Sequence, residues 1–188
     1  MDKLPLDLLR PIVEHLHDDF ESLLAVSLAS RELRVEGQRI LFKTMALAAD
    51  KEAHIKFLTV IISSSLLAQH VEEFHQFRLL DPERQQEQLW DLTCRGLNAM
   101  INLKRFFFGA SKSSPSATIL RGCTFQLKTL RWENYRDAEQ LLEFISSQPN
   151  LRFLGLTWEG PDLNTSGICP GLQVLHGGQR TIDAFLPG

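Results

Sequence analysis

The residues of this chain best suited to hold a metal or move a proton are six histidines: His15, His17, His54, His70, His75 and His176. A zinc pair on a helix needs two of them four residues apart with an acid between, and no H-E-x-x-H occurs. His70 and His75 are five apart, off a common helix face. The histidines therefore read as surface or packing residues. FGASKSSP (Phe108 to Pro115) has the serine and glycine content of a phosphate loop, but it lacks a second glycine directly before Lys112. It reads as a serine-rich loop. There is no G-x-S-x-G, and no cysteine has a nearby histidine to activate it. Asp18, Asp19 and Glu21 crowd around Phe20, where they read as solvating an interhelical turn. Cys94, Cys123 and Cys169 are widely spaced and never form C-x-x-C, which predicts buried, reduced thiols, not a disulfide scaffold or a zinc site. The reading is a non-enzyme with no cofactor and no metal.

What positions these residues is an ordinary globular chain. Its 188 residues are 44% hydrophobic and 23% charged, enough for a core of useful size. Net charge is −3 and the basic residues are scattered along the sequence, so neither nucleic acid nor an anionic membrane is an expected partner. The most apolar stretch, FLTVIISSSLLA (Phe57 to Ala68), is too short and serine-rich to span a bilayer. No long apolar run marks the N-terminus as a secretory signal. The expected location is intracellular, cytoplasmic or nuclear.

Three segments follow from the pattern. Residues 1–46 read as three short helices, the first with Leu8, Leu9, Ile12 and Leu16 at helical spacing and Asp7 as its cap. That start puts Pro11 near the first turn, where its missing N–H matters least. The second runs from Glu21 to Ala29 and the third from Arg31 to Phe42. Residues 47–70 hold a linking helix, Lys51 to Ile62, with Ile55, Leu58 and Ile62 on one stripe. Residues 71–188 begin with an extended segment, VEEFHQFRL (Val71 to Leu79), followed by a helix start at Asp81-Pro82-Glu83.

A repeat then emerges. NLKRFFF (Asn102 to Phe108), QLKTLRW (Gln126 to Trp132) and NLRFLGL (Asn150 to Leu156) share the form L-x-x-Φ-x-Φ, with Φ apolar. GLQVLHG (Gly171 to Gly177) fits the first two apolar places, with Gly177 at the third. The leading residues Leu103, Leu127, Leu151 and Leu172 are 24, 24 and 21 apart, within the range of leucine-rich repeats. Each unit predicts a short strand with one face turned inward. The alternate positions, Arg105 and Phe107, then Thr129, Arg131 and Glu133, then Phe153 and Gly155, then Val174 and His176, line the other, concave face. DAEQLLEFISSQP predicts a helix capped by Asp137, with Leu141, Leu142, Phe144 and Ile145 apolar, ending before Pro149. Ser111 to Cys123 shows no clear helix. The fold expected is α+β or α/β: a three-helix module, then a short, irregular leucine-rich-repeat solenoid of parallel strands with helices or loops on the convex side. The weak last unit, without an evident polar cap, predicts a longer native solenoid than this chain carries.

The N-terminal residues carry a resemblance. LPLDLL, Ile12, Leu16, LLAVSLASREL (Leu23 to Leu33) and ILF (Ile40 to Phe42) resemble the F-box motif, and with the repeats the chain looks like fungal-type F-box proteins with leucine-rich repeats. It departs from the motif at Pro11, at Leu33 where tryptophan is common, and in a longer loop at HDDFES. The resemblance implies docking on a Skp-type adaptor of an SCF (cullin–RING) ubiquitin ligase, and presentation of a protein substrate by the repeats. It places adaptor contacts at Leu4, Pro5, Leu8, Leu9, Ile12, Leu24 and Val26, and substrate contacts at Arg105, Phe107, Thr129, Arg131, Glu133, Phe153, Val174 and His176. The alternative is a leucine-rich-repeat interaction scaffold with no ligase role, whose N-terminal helices cap the solenoid.

Overall fold

A computed structural model describes residues 5–46, 50–77, 87–109, 116–133, 138–157 and 168–185. The chain opens with three helices, α1 (Leu6–Glu14), α2 (Phe20–Ala29) and α3 (Arg31–Leu41). It continues with strand β1 (Thr44–Met45), helices α4 (Lys51–Ser63) and α5 (Ser65–Ala68), β2 (Glu73–Phe77) and α6 (Glu87–Ala99). Then come β3 (Arg105–Gly109), a 3-10 turn (Ala117–Leu120), β4 (Thr129–Glu133), α7 (Ala138–Ser146), β5 (Phe153–Leu156), β6 (Val174–Gly177) and α8 (Gln179–Phe185). The six strands form one parallel sheet in sequence order, β1-β2-β3-β4-β5-β6. Asp81-Pro82-Glu83, Asp137 and the segment Ala110 to Pro115 lie outside the described residues.

Period-two alternation splits each strand between two faces. Phe74, Phe106, Leu130 and Leu154 stand in register on the inner face and are fully buried. Phe108 and Trp132 are equally buried one row along, and Leu156 is nearly so. The leading Leu103, Leu127 and Leu151 sit beneath the strand starts, also out of water. Helical residues Leu58, Ile61, Leu89, Leu97, Leu141 and Ile145, with Met100 just past α6, close the core. An aromatic row runs through it: Phe42 on Phe57, Phe57 on Phe74 and Phe74 on Phe106, with centroids 6.0–6.1 Å apart. Phe108 then stacks on Trp132 at 4.3 Å.

One backbone device repeats at every strand start after the first. The Lys43 carbonyl accepts the N–H groups of both Glu72 and Glu73, and Glu72 does the same for Lys104 and Arg105. Lys104 accepts from Lys128 and Thr129, Lys128 from Arg152 and Phe153, and Arg152 from Gln173 and Val174. These forked bonds lock each unit to the one before it.

Three expectations need correction. α1 is capped by Pro5, not Asp7, and begins at Leu6, so Pro11 lies well inside the helix. Its ring is on the exposed side. The helix is tied to α3 by Arg10–Glu36 (3.3 Å) and Arg39–Glu14 (2.7 Å). The sheet starts inside the segment read as purely helical, because Thr44 and Met45 pair with Glu73 and Phe74. On α4 the inward stripe is His54, Leu58 and Ile61, with Ile62 only half-buried. Past the last strand, α8 packs back on β6, and Thr181 is buried there. Gly177 makes that approach possible, since a Cβ on it would lie 2.8 Å from both the Leu156 carbonyl and Thr181.

Candidate functional site

The first surface is on the N-terminal module. α2 and α3 cross closely at Gly37, where an added Cβ would meet the Ser27 hydroxyl at 2.1 Å. Ser27 donates to the Leu23 carbonyl, and Arg34 Nε donates to the Ser27 carbonyl. α2 is capped by Asp19, whose carboxylate accepts the Ser22 hydroxyl at 2.6 Å and the Ser22 N–H at 3.0 Å. These bonds hold its carboxyl below the ordinary aspartate range. α3 is capped by Ser30, which accepts the Leu33 N–H.

This close packing still leaves much apolar surface in water. Leu8 is 47% exposed and Ile12 52%, four residues apart on α1. On α2, Phe20 is 64%, Leu24 43% and Leu28 77% exposed, again at four-residue spacing, and Val35 on α3 is 47% exposed. Pro5 is exposed and Val26 half-buried. Leu9 is turned inward, but it forms the floor of a groove of about 470 Å³ walled by Arg31, Glu32, Val35 and Glu36. Leu4 lies outside the described residues. Phe20, Leu28 and Val35 belong to this surface beside the positions the motif supplied. For Phe20 and Leu28 the four-residue spacing from Leu24 on α2 was the available signal; Val35, on α3, had none.

The second surface is the outer face of the sheet. Register places Glu73, Arg105, Thr129, Phe153 and Val174 in one row and His75, Phe107, Arg131, Gly155 and His176 in the next. Every alternate position named from the sequence is therefore on this face. The charges there are matched. Glu73 accepts from His75 Nε2 at 2.6 Å and from Arg105 at 2.5 Å, and Arg131 pairs with Glu133 at 2.7 Å. The His75 and Phe107 rings lie 4.2 Å apart, and the Arg131 guanidinium sits 5.9 Å from the Phe77 centroid. At Gly155 the Arg131 stem and the Phe153 ring close over the backbone, each 3.4 Å from where a Cβ would be. Val174 and His176 are exposed at the far edge.

Glu73, His75 and Phe77 were not among the sequence candidates. VEEFHQFRL breaks the repeat form because Gln76 occupies the third apolar place. Gln76 is nevertheless fully buried, donating to Thr93 Oγ1 at 2.9 Å, while Thr93 donates to the Leu89 carbonyl. A polar residue with its bonds made can fill an apolar place.

The residues first weighed for chemistry are dispersed. His54 is buried, its ring nitrogens 2.9 Å from the Asp50 carbonyl and 3.0 Å from the His75 carbonyl, a bridge between α4 and β2. His15 and His17 bond to backbone carbonyls of α1. All three cysteines are free and partly buried, and burial pushes each thiol up, Cys123 to about 12. Among the described residues no group of three His, Cys, Asp or Glu could hold a metal ion. No described helix is long and apolar enough to cross a membrane. Comparison with known protein families, with curated proteins and with solved structures finds nothing that matches the chain.

Proposed function

We propose that the chain is an adaptor-binding substrate receptor of an SCF-type (cullin–RING) ubiquitin ligase, an intracellular binding protein without catalysis of its own. Its N-terminal F-box-like module docks on a Skp-type adaptor, and its leucine-rich repeats hold a protein substrate on the outer sheet face. The observation that carries the reading is the exposed apolar surface of the module: Leu8 and Ile12 on α1, with Phe20, Leu24 and Leu28 on α2. Apolar stripes at this spacing suit a helix face laid into a partner's groove. Leu9, at the floor of its own groove, supports the module more than the contact.

The test is capture of a purified Skp-type adaptor by the full chain. The wild type is expected to bind, and the Ile12→Glu/Leu24→Glu double variant to lose binding at least about a hundredfold while its thermal melt stays within a few degrees. Both positions are exposed, so the substitutions spare the core. Equal capture by the variant, or none by the wild type, refutes the adaptor role. The second outcome leaves the scaffold alternative, which draws on β1: the module runs straight into the sheet, with Phe42 and Met45 packed into its core.

A further inference from the structure

The forked-bond ladder has a charge pattern as well as a geometry. Its residues are Lys43, Glu72, Lys104, Lys128, Arg152 and Gln173, one at each strand start. Neighbouring strands are about 4.8 Å apart, so Lys43 and Arg152 mark the ends of a row about 19 Å long. Lys43, Lys128 and Arg152 are exposed, and no described carboxylate lies within ion-pair distance of them. The one acid in the row, Glu72, is taken by Lys104 at 2.7 Å. Burial pushes the Glu72 carboxyl up, but the Lys104 hydrogen bond and the charges of Lys104, Lys43 and Arg105 outweigh it and hold it below the ordinary range. The rim is thus net positive on a chain whose net charge is −3.

We propose that this N-terminal rim of the sheet is a binding site for an acidic peptide segment of a protein partner, gripped by Lys43, Lys104, Lys128 and Arg152. Charge complementarity selects the occupant. The row is one residue deep and holds four cations, one of them already paired. Duplex nucleic-acid binders commonly neutralise about 6–10 phosphates, and polybasic lipid sites act beside a membrane anchor, whereas no described helix is long and apolar enough to cross a membrane. An extended acidic segment of about six residues, at about 3.3 Å each, matches the length of the row. Exposed Asn150 and Gln173 beside it add amide donors for carboxylates. The site belongs to the sheet and does not depend on adaptor docking.

Fluorescence anisotropy of a labelled hexaglutamate peptide with the full chain tests it. The wild type is expected to bind, with affinity falling steadily as salt rises from about 50 to 300 mM. Lys128→Glu/Arg152→Glu is expected to weaken binding about tenfold or more. Lys56→Glu, a charge reversal on the exposed side of α4, and Ile12→Glu/Leu24→Glu are expected to leave it unchanged. If the rim variant does not fold, Lys128→Gln and Arg152→Gln singly, with the wild-type salt slope, carry the same comparison. Absence of hexaglutamate binding, salt-independent binding, or equal loss in the Lys56→Glu control would each overturn the proposal. So would tighter binding to a dT12 oligonucleotide or to vesicles containing phosphatidylserine than to the peptide.

Discussion

His70 lies half-buried where the helical module meets the sheet. Burial lowers its pKa most, and the nearby Arg39 charge lowers it further, against a smaller opposite pull from Glu36. A depressed folded pKa means the unfolded chain binds the proton more readily, so this contribution is complete above about pH 6.5 and lost as pH falls through the folded value. Glu36 acts in the same direction at lower pH. Burial pushes it up, but hydrogen bonds from Arg39 and Arg10 and their charges hold it below the ordinary range. Its contribution is present above about pH 4.3 and goes as pH falls further. Thermal melts of the wild type are therefore expected to drop between pH 7 and 5 and again below pH 4.5. His70→Asn should flatten the first step and leave the second. None of this was readable beforehand, since the sequence separates His70 from Arg39 and Glu36 by a strand and two helices.

At the scale of elements, Gly37 sets the crossing of α2 and α3. Gly37→Leu has no room beside Ser27 and the Leu23 carbonyl, and is expected to cost about 1–3 kcal/mol or more. Urea unfolding followed by far-UV circular dichroism measures it, and unchanged stability would contradict the close crossing. The two helices themselves were legible from the apolar residues along them, whereas the Ser30 cap between them was seen only in the structure. α1 was less so. Sequence logic moved its start toward the proline, whereas the observed helix takes Pro11 in its interior with the ring toward solvent. β3, β4 and β5 announced themselves through L-x-x-Φ-x-Φ. β2 and β6 did not fully, because Gln76 and Gly177 hold the third place for reasons seen only in three dimensions: a hydrogen bond to Thr93 and the approach of α8.

Across the molecule, the core depends on rows that join distant units. Trp132 stacks on Phe108 and meets Phe106 edge-on, fully buried. Trp132→Ala is expected to cost about 3–5 kcal/mol by chemical denaturation. Trp132→Phe should cost far less, since the Trp132 Nε1–H finds no acceptor among the described residues. A smaller loss for the alanine than for the phenylalanine variant would refute this packing. The outer face of β3 to β6 was legible from alternation, whereas its β2 residues Glu73, His75 and Phe77 were missed. The basic rim was not: its four cations are spread over a hundred residues of sequence, and only strand register brings them side by side.

Because every strand pairs with its predecessor in sequence, each new strand closes a loop only one unit long. Such closures cost little chain entropy and keep contact order low. Assembly can then proceed in the direction of synthesis, β2 settling on β1 and β3 on β2 as each leaves the ribosome, before the C-terminal units exist.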